Sequence, residues 1–373
     1  MNVATALTAY DFDEIDRISR EDLAAMARTI DEERVYAEDI MRAYGKAGAY
    51  GTHLGGIDGD VDLSSAVMAM ARASEECLST GFCVWCQDTL AWYIASSDNG
   101  YLKSEILPKI VAGDSLGGTG MSNPMKAMGE IEKMRLQGER VAGGYKVKGM
   151  LPWVSNLLED GYFGSMFHVE VEGADEPKRV MAIFHAAWDG IKIKLDHDFV
   201  AMGGTATVNV QCRDVFVPDE FILGDPAGEF IQRIRPGFTL LQCGMAAGII
   251  KNCIDLMKQV EGPLGHINQY LDKQPADIEA EYNALVADVL EMCKTPYDLS
   301  DAFYLRVLKA RLKGGELAME AAHWAQLHMG ARGYVSRGAA QRRLREAYFV
   351  GIVTPATKHL KMLISKLEAA QAA

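Results

Sequence analysis

The sequence predicts an α+β protein in three successive parts: an N-terminal α-helical domain (1–113), a middle antiparallel β domain of barrel or sandwich type (114–227) and a C-terminal α-helical bundle (228–373). Three observations predict it. Apolar residues recur at three- and four-residue intervals up to about Ile110; after Gly113, short alternating runs divided by Gly, Asp and Pro replace them; and helical spacing returns from about Pro236. A length of 373 residues fits two or three cores of ~100–200 residues each. A helices–strands–helices order suits a ligand held where the parts meet.

The first domain rests on EDLAAMARTIDEERVYAEDIMRAYG and LSSAVMAMARASEECL, each with an apolar face. Between them, Gly51–Gly59 (GTHLGGIDG) breaks the pattern. A phosphate-cradling loop leads from a strand into a helix, whereas helices flank this one on both sides, so it reads as a helix connection. FCVWCQDTLAWYI reads as a buried helix, which makes Cys83 and Cys86 small buried hydrophobes; no second pair completes a four-thiolate zinc site. The β domain is carried by ERVAGGYKVKG, YFGSMFHVEVE, KRVMAIFHAAW, IKIKLDHDF and TATVNVQCRDVFV, with Val, Ile and aromatic residues at alternate positions. GFTLLQCGMAAGIIKNCIDLMKQV and SDAFYLRVLKARLKGGELAMEAAHWAQLHMG restore the helical period, while EGPLGHINQYLDKQPADIEAEYNAL between them is polar and weakly patterned.

A formal charge of -13 gives no long-range attraction to phosphate backbones or anionic lipid, so nucleic acid is not an expected partner. No apolar run approaches the ~18 residues of a membrane span, and MNVATALTAYDFDEID lacks the pattern of a signal peptide; a cytoplasmic location is the expectation. Seven cysteines at irregular spacing fit reduced thiols, and none of the eight histidines stands at a ligand spacing, so no metal is expected.

YLKSEILPKIVAGDSLGGTGMSNP, KGMLPWVSN, VAMGGTATVNVQCRDVFVPDEFILG and GARGYVSRGAAQRRLREAYFVGIVTPATKHL resemble, in order and spacing, the acyl-CoA dehydrogenase family over essentially the whole chain. The resemblance implies an acyl-CoA dehydrogenase-like fold with FAD between the β domain and the C-terminal helices. It implies that Ser122, a hydroxyl residue of the first strand, contacts the flavin pyrimidine edge, with Met121 beside it and Pro124 closing the motif. It implies further that Ser155 approaches the flavin N5, with Trp153 as an apolar wall. Gly330, Arg332 and Gly333, followed by Tyr334, resemble the turn that reaches the adenosine half of FAD in a neighbouring subunit, which implies a homodimer or homotetramer. Taken alone, Trp153 reads as core, Ser122 and Ser155 as solvated or capping serines, and Gly330 as a helix C-cap.

The chain departs from the family where the chemistry lies. Removal of an α proton needs a base, a glutamate that in the family precedes Gly-Thr shortly after an Arg-Asp pair. Counting on from Arg345 and Glu346, that position falls on Thr354, followed by Pro355 and Ala356. A threonine hydroxyl is too weak a base at neutral pH. The alternative position falls on Phe238 and Thr239, with no acidic residue between Pro236 and Asn252. MKAMGE replaces the family's coenzyme A serine, and VEGPLGHINQYL replaces its Arg-x-x-Phe-Gly diphosphate segment.

Three functions follow from the resemblance and its departures. The leading expectation is a FAD-dependent oxidoreductase that oxidises an acyl thioester, with acyl-CoA as a candidate substrate, or a related small molecule, and passes electrons to an acceptor. The second is a flavin-dependent monooxygenase supplied by a flavin reductase, which needs no α-proton base. The third is a catalytically silent subunit of a heteromeric acyl-CoA dehydrogenase.

Overall fold

The computed structural model describes residues 11–54, 61–195 and 197–372. Helix α1 (Phe12–Arg17) is capped by Asp11, whose carboxylate accepts the Glu14 amide at 3.0 Å. A π-turn (Ile18–Leu23) carries the chain into α2 (Ala24–Glu33), which stops at Arg34 in the left-handed region. Helices α3 (Glu38–Lys46), α4 (Ser64–Glu76), α5 (Leu78–Ser96) and α6 (Leu107–Val111) complete this part. Residues 55–60 of the Gly51–Gly59 connection and residues 1–10 lie outside the described residues; Thr52–Leu54 form a 3-10 turn. Helix α5 is buried on every face, as the apolar residues distributed all round it require, and it takes Gln87, Asp88 and Thr89 inside with them. Cys83 and Cys86 are buried in it, all seven cysteines are free thiols, and burial pushes the Cys83 and Cys86 pKa values far up.

The sheet has eight strands: β1 (Gly117–Thr119), β2 (Leu136–Val141), β3 (Gly144–Val154), β4 (Tyr162–Val169), β5 (Lys178–His185), β6 (Ile191–Lys194), β7 (Val208–Pro218) and β8 (Ile222–Gly224). Their order is β6-β7-β3-β2-β4-β5-β8, with β1 on β4. The expectation of an antiparallel domain needs one correction: β1 and β2 lie end to end along one edge of β4, and both pair with it in parallel. Alternation along a strand reports which face is buried; it carries no information on the direction of the neighbour. Register shifts between β3 and β7 fall at Val147/Gly149 and Leu151/Val154. Gly149 has φ +136, and a Cβ there would stand 2.1 Å from the Arg135 carbonyl. These irregularities bend β3 and aim its last residues at the helices.

Between β1 and β2 lies a short helix, α7 (Ser122–Met128); the C-terminal part comprises α8 (Gly228–Leu241), α9 (Cys243–Gln259), α10 (Glu261–Asn268), α11 (Pro275–Met292), α12 (Asp301–Met329), α13 (Ala339–Ile352) and α14 (Thr357–Ala372). The helical pattern thus starts before Pro236, which sits inside α8. The polar stretch resolves into α10 and α11, the latter opened by a capping box between Gln274 and Asp277. Residues Gly228–Gln259 contain one window long and apolar enough to cross a membrane, more than the sequence reading allowed, and 83% of that window is buried inside the protein. Helix α9 packs closely on α4, where Gly248 faces the Ala71 carbonyl with no room for a Cβ. Arg343 of α13 fastens the C-terminal end of α4, donating to the carbonyls of Ser74, Glu75 and Glu76 at 3.1, 2.6 and 2.7 Å, and also to Glu346 and Asn252.

Candidate functional site

The sheet and the C-terminal helices enclose a cavity of about 410 Å³. On the sheet side the lining is a row of hydroxyls. Ser155 Oγ and Thr207 Oγ1 are 2.7 Å apart, and Thr207 Oγ1 is 2.7 Å from Thr205 Oγ1, which donates to the Met202 carbonyl. Thr119 joins the lining from β1, its hydroxyl 2.9 Å from the buried Tyr93 OH and accepting the Met121 amide at 3.2 Å. On the helical side the lining is aromatic: Phe82 and Trp85 of α5, Phe238 of α8, Tyr348 and Phe349 of α13. Trp85 stacks on Phe82 at 5.6 Å and meets Phe238 edge-on at 5.2 Å.

The sequence placed Ser122 in the first strand. That strand ends at Thr119, and Ser122 instead opens α7: Gly120 leaves the extended run, and Pro124 suits a first helical turn. From there Ser122 Oγ lies 3.1 Å from Thr354 Oγ1, so two residues 232 apart in the chain meet at the cavity wall. Met121 is buried beside them and lines the cavity. Ser155 is buried in the hydroxyl row, whereas Trp153 is 42% exposed, tilted against His197 and Phe199 at the rim. Gly330, Arg332 and Gly333 lie at the end of α12, outside this cavity; Gly330 has φ +58 and terminates the helix, and within one chain the structure does not bring them to the other candidates.

Several contributors escaped the sequence reading. Asn156, in the left-handed conformation that asparagine tolerates, donates to the Gly117 carbonyl at 2.6 Å, accepts from Tyr36 OH, and sends its amide to the Thr205 carbonyl at 2.9 Å. It ties β1, the end of β3 and the threonine row together. Gln242 donates to the Thr354 carbonyl at 2.8 Å and accepts from Arg311 Nε at 2.7 Å; Arg311 also donates to the Val350 carbonyl. Burial lowers the Arg311 pKa to about 10, which leaves it charged at neutral pH. Thr205 and Thr207 stand within a quoted motif, and their i, i+2 spacing was a usable signal; Gln242 and Arg311 gave none.

Among the described residues that line the cavity there is no carboxylate. Its two charged residues are cations already engaged: Arg345 pairs with Asp31 and donates to the Val200 carbonyl, and Lys126 pairs with Glu132 at 3.0 Å. Thr354, at the position expected for a base, holds only its hydroxyl there. Thr239 turns its hydroxyl back to the Arg235 carbonyl at 2.9 Å, while Phe238 faces the cavity. A planar heteroaromatic group fits this lining, with hydroxyls to meet a polar edge, aromatic rings to cover a face, and a buried Trp85 Nε1 that has no hydrogen-bond partner.

A helical domain, a central sheet and a helical bundle closing on one cavity make the acyl-CoA dehydrogenase fold. Residues 12–114 match the family described as acyl-CoA dehydrogenase, N-terminal domain. The chain is 24% identical over 282 residues to 2-methylacyl-CoA dehydrogenase, mitochondrial, of Solanum tuberosum, covering 71% of this chain and 65% of that protein. With benzylmalonyl-CoA dehydrogenase of Aromatoleum aromaticum it is 22% identical over 372 residues, 95% and 96% of the two chains. Among solved structures, a glutaryl-coenzyme A dehydrogenase complex superposes with TM-score 0.84 at 19% identity over 99% and 95% of the chains. Dibenzothiophene monooxygenase from Paenibacillus sp. A11-2 superposes with TM-score 0.77 at 14% identity over 98% and 97%. Over residues 12–114 the chain thus matches an acyl-CoA dehydrogenase family domain, and over nearly its whole length it shares the fold of acyl-CoA dehydrogenases.

Proposed function

We propose that this chain is a flavin-dependent oxidoreductase that takes FAD against its hydroxyl row and an acyl thioester, or a related small substrate with an apolar body, into the aromatic recess. The observation that carries the reading is a single cavity with hydroxyls on the sheet side and aromatic rings on the helical side. When bound, the flavin would supply an acceptor for one hydride, that is, for two electrons and a proton together. Ser122 and Thr354, 3.1 Å apart, offer paired donors and acceptors to its pyrimidine edge, and Ser155, held by Thr207, offers a rotatable hydroxyl to its reactive edge. Trp153, at the rim against His197 and Phe199, offers an apolar ring beside that edge. Gly330, Arg332 and Gly333 of a second copy would hold the adenosine half, which would make the working unit a homodimer or homotetramer.

A second reading is supported by the missing carboxylate. Without a base for the α proton, the same cavity serves a monooxygenase that receives reduced flavin from a reductase and consumes oxygen. The test is a pair of assays on purified protein: anaerobic bleaching of the flavin by a panel of acyl-CoAs, and oxygen-dependent product formation with chemically reduced flavin. Bleaching supports the first reading, product in the second assay alone supports the second, and a colourless protein that acquires flavin only with a partner chain overturns both.

A further inference from the structure

We propose that a second, smaller chamber beside the cavity binds a carboxylate carried by the substrate, an inference that rests on the oxidoreductase reading of the main cavity. The chamber measures about 190 Å³ and shares Met121, Met125 and Phe238 with the main cavity, so one molecule can occupy both. Its lining is apolar except for a few groups, and two of those carry unmet hydrogen-bonding capacity. Arg235 Nε is buried without a partner, and so is Nδ1 of His359.

Arg235 is held for this use. Its guanidinium carbon lies 4.2 Å from the centre of the Tyr304 ring, which fixes the plane of the fork. Its nearest carboxylate is Asp301, 3.6 Å from Nη2, a long pairing that leaves Nε free. A guanidinium has donors and no acceptor, so only an acceptor can complete it, and a carboxylate matches its fork best. His359 is buried in α14 and packs on the backbone of Gly129; a Cβ at that glycine would stand 2.8 Å from Nε2. Burial, with Lys126 and Lys366 adding to it, lowers the His359 pKa, so its ring is neutral and carries a single N–H to donate. A buried donor left unpaired is costly, and an entering carboxylate removes that cost at Arg235 Nε and, with the proton on Nδ1, at His359 as well. The ligand this defines is an organic acid, with its apolar body over the methionines and Phe238 and its carboxylate toward Arg235 and His359.

The test uses the full chain, titrated calorimetrically with 4-phenylbutyrate and with its uncharged isostere 4-phenylbutyramide. The acid is expected to bind at least about tenfold more tightly than the amide, and Arg235→Gln and His359→Asn each to lower acid affinity about tenfold while leaving the amide unchanged. Equal affinity for acid and amide, no binding of either, or acid binding untouched by both variants overturns the proposal. Thermal melting confirms that the variants fold, and the acid–amide comparison in the unsubstituted protein stands without them. Flavin content is read from the visible spectrum of the same samples. A colourless protein that prefers the acid sinks the flavin reading alone; a yellow protein that binds both probes alike sinks the carboxylate chamber alone.

Discussion

Gly118→Ala tests whether strand β1 sets the position of the hydroxyl row. A Cβ at Gly118 would stand 2.3 Å from the Ser155 carbonyl oxygen and 3.2 Å from Cys86 Cβ, where ordinary contact begins at 3.4 Å. Relief of the first contact requires the end of β3 to move by about 1 Å, because backbone lies on one side and the buried helix α5 on the other. Overpacking of this kind costs ~1–3 kcal/mol. At ~2.1 cal/mol/K of unfolding entropy per residue, a chain of this length loses only about 1–4 °C in Tm. The larger effect falls on the cofactor: Ser155 carries its hydroxyl away by a distance comparable to the difference between a good hydrogen bond and none, and flavin affinity drops about tenfold. The assay is scanning fluorimetry together with the visible-to-ultraviolet absorbance ratio of protein purified without added flavin. Gly228→Ala, at a helix N-terminus with nothing within 4 Å of the new Cβ, serves as the control and keeps both values. A Gly118→Ala protein with unchanged Tm and full flavin content would refute the reasoning.

Three further perturbations have expected outcomes. Asp88 is fully buried with both oxygens unpartnered and His53 Nε2 3.9 Å away; burial raises its pKa well above 3.8, while burial depresses His53 to about 3. The folded state therefore keeps a proton on Asp88 that the unfolded chain releases, so wild-type stability falls as pH rises from about 4 toward the raised folded pKa. His53 acts oppositely, costing stability as pH falls below 6.5, and does so in both proteins. The Tm of Asp88→Asn minus that of the wild type should grow between about pH 4 and 8, and a flat difference means the carboxyl is ionised in the fold. Arg343→Met strands Glu346 and three carbonyls of α4, costs ~3–5 kcal/mol and lowers Tm by about 4–6 °C; adding Glu346→Leu should recover part of it, and chemical denaturation reads both. Thr354→Glu puts a carboxylate into a cavity whose lining has none, and anaerobic bleaching by an acyl-CoA should be at least about tenfold faster in the variant than in the wild type; equal rates would show that the base comes from elsewhere.

The helical ends and the strands of this protein were legible because periodicity is local: α5 had to be buried on all faces, and the alternation of β3 and β7 had to give one buried face. Met121, Ser122, Trp153, Ser155 and Thr354 were found through motif resemblance, and the structure gathers them around one cavity. Ser122 was assigned to the wrong element because the glycines before it permit strand and turn alike. The parallel edge of β4 was invisible, since alternation is the same whichever way the neighbour runs. The Gln242–Arg311 support of Thr354, the Asn156 tie and the Arg235–His359 chamber were invisible for a common reason. Each joins side chains brought together only by packing, 39 residues apart for Asn156 and Gly117 and 112 for Gln242 and Thr354. By itself the sequence determined the three successive parts and the loss of a glutamate, because both are properties of single positions and their near neighbours. Only the tertiary structure decided which hydroxyls face the aromatic wall and which buried donors are left unpaired, because those depend on the directions of side chains that meet across elements.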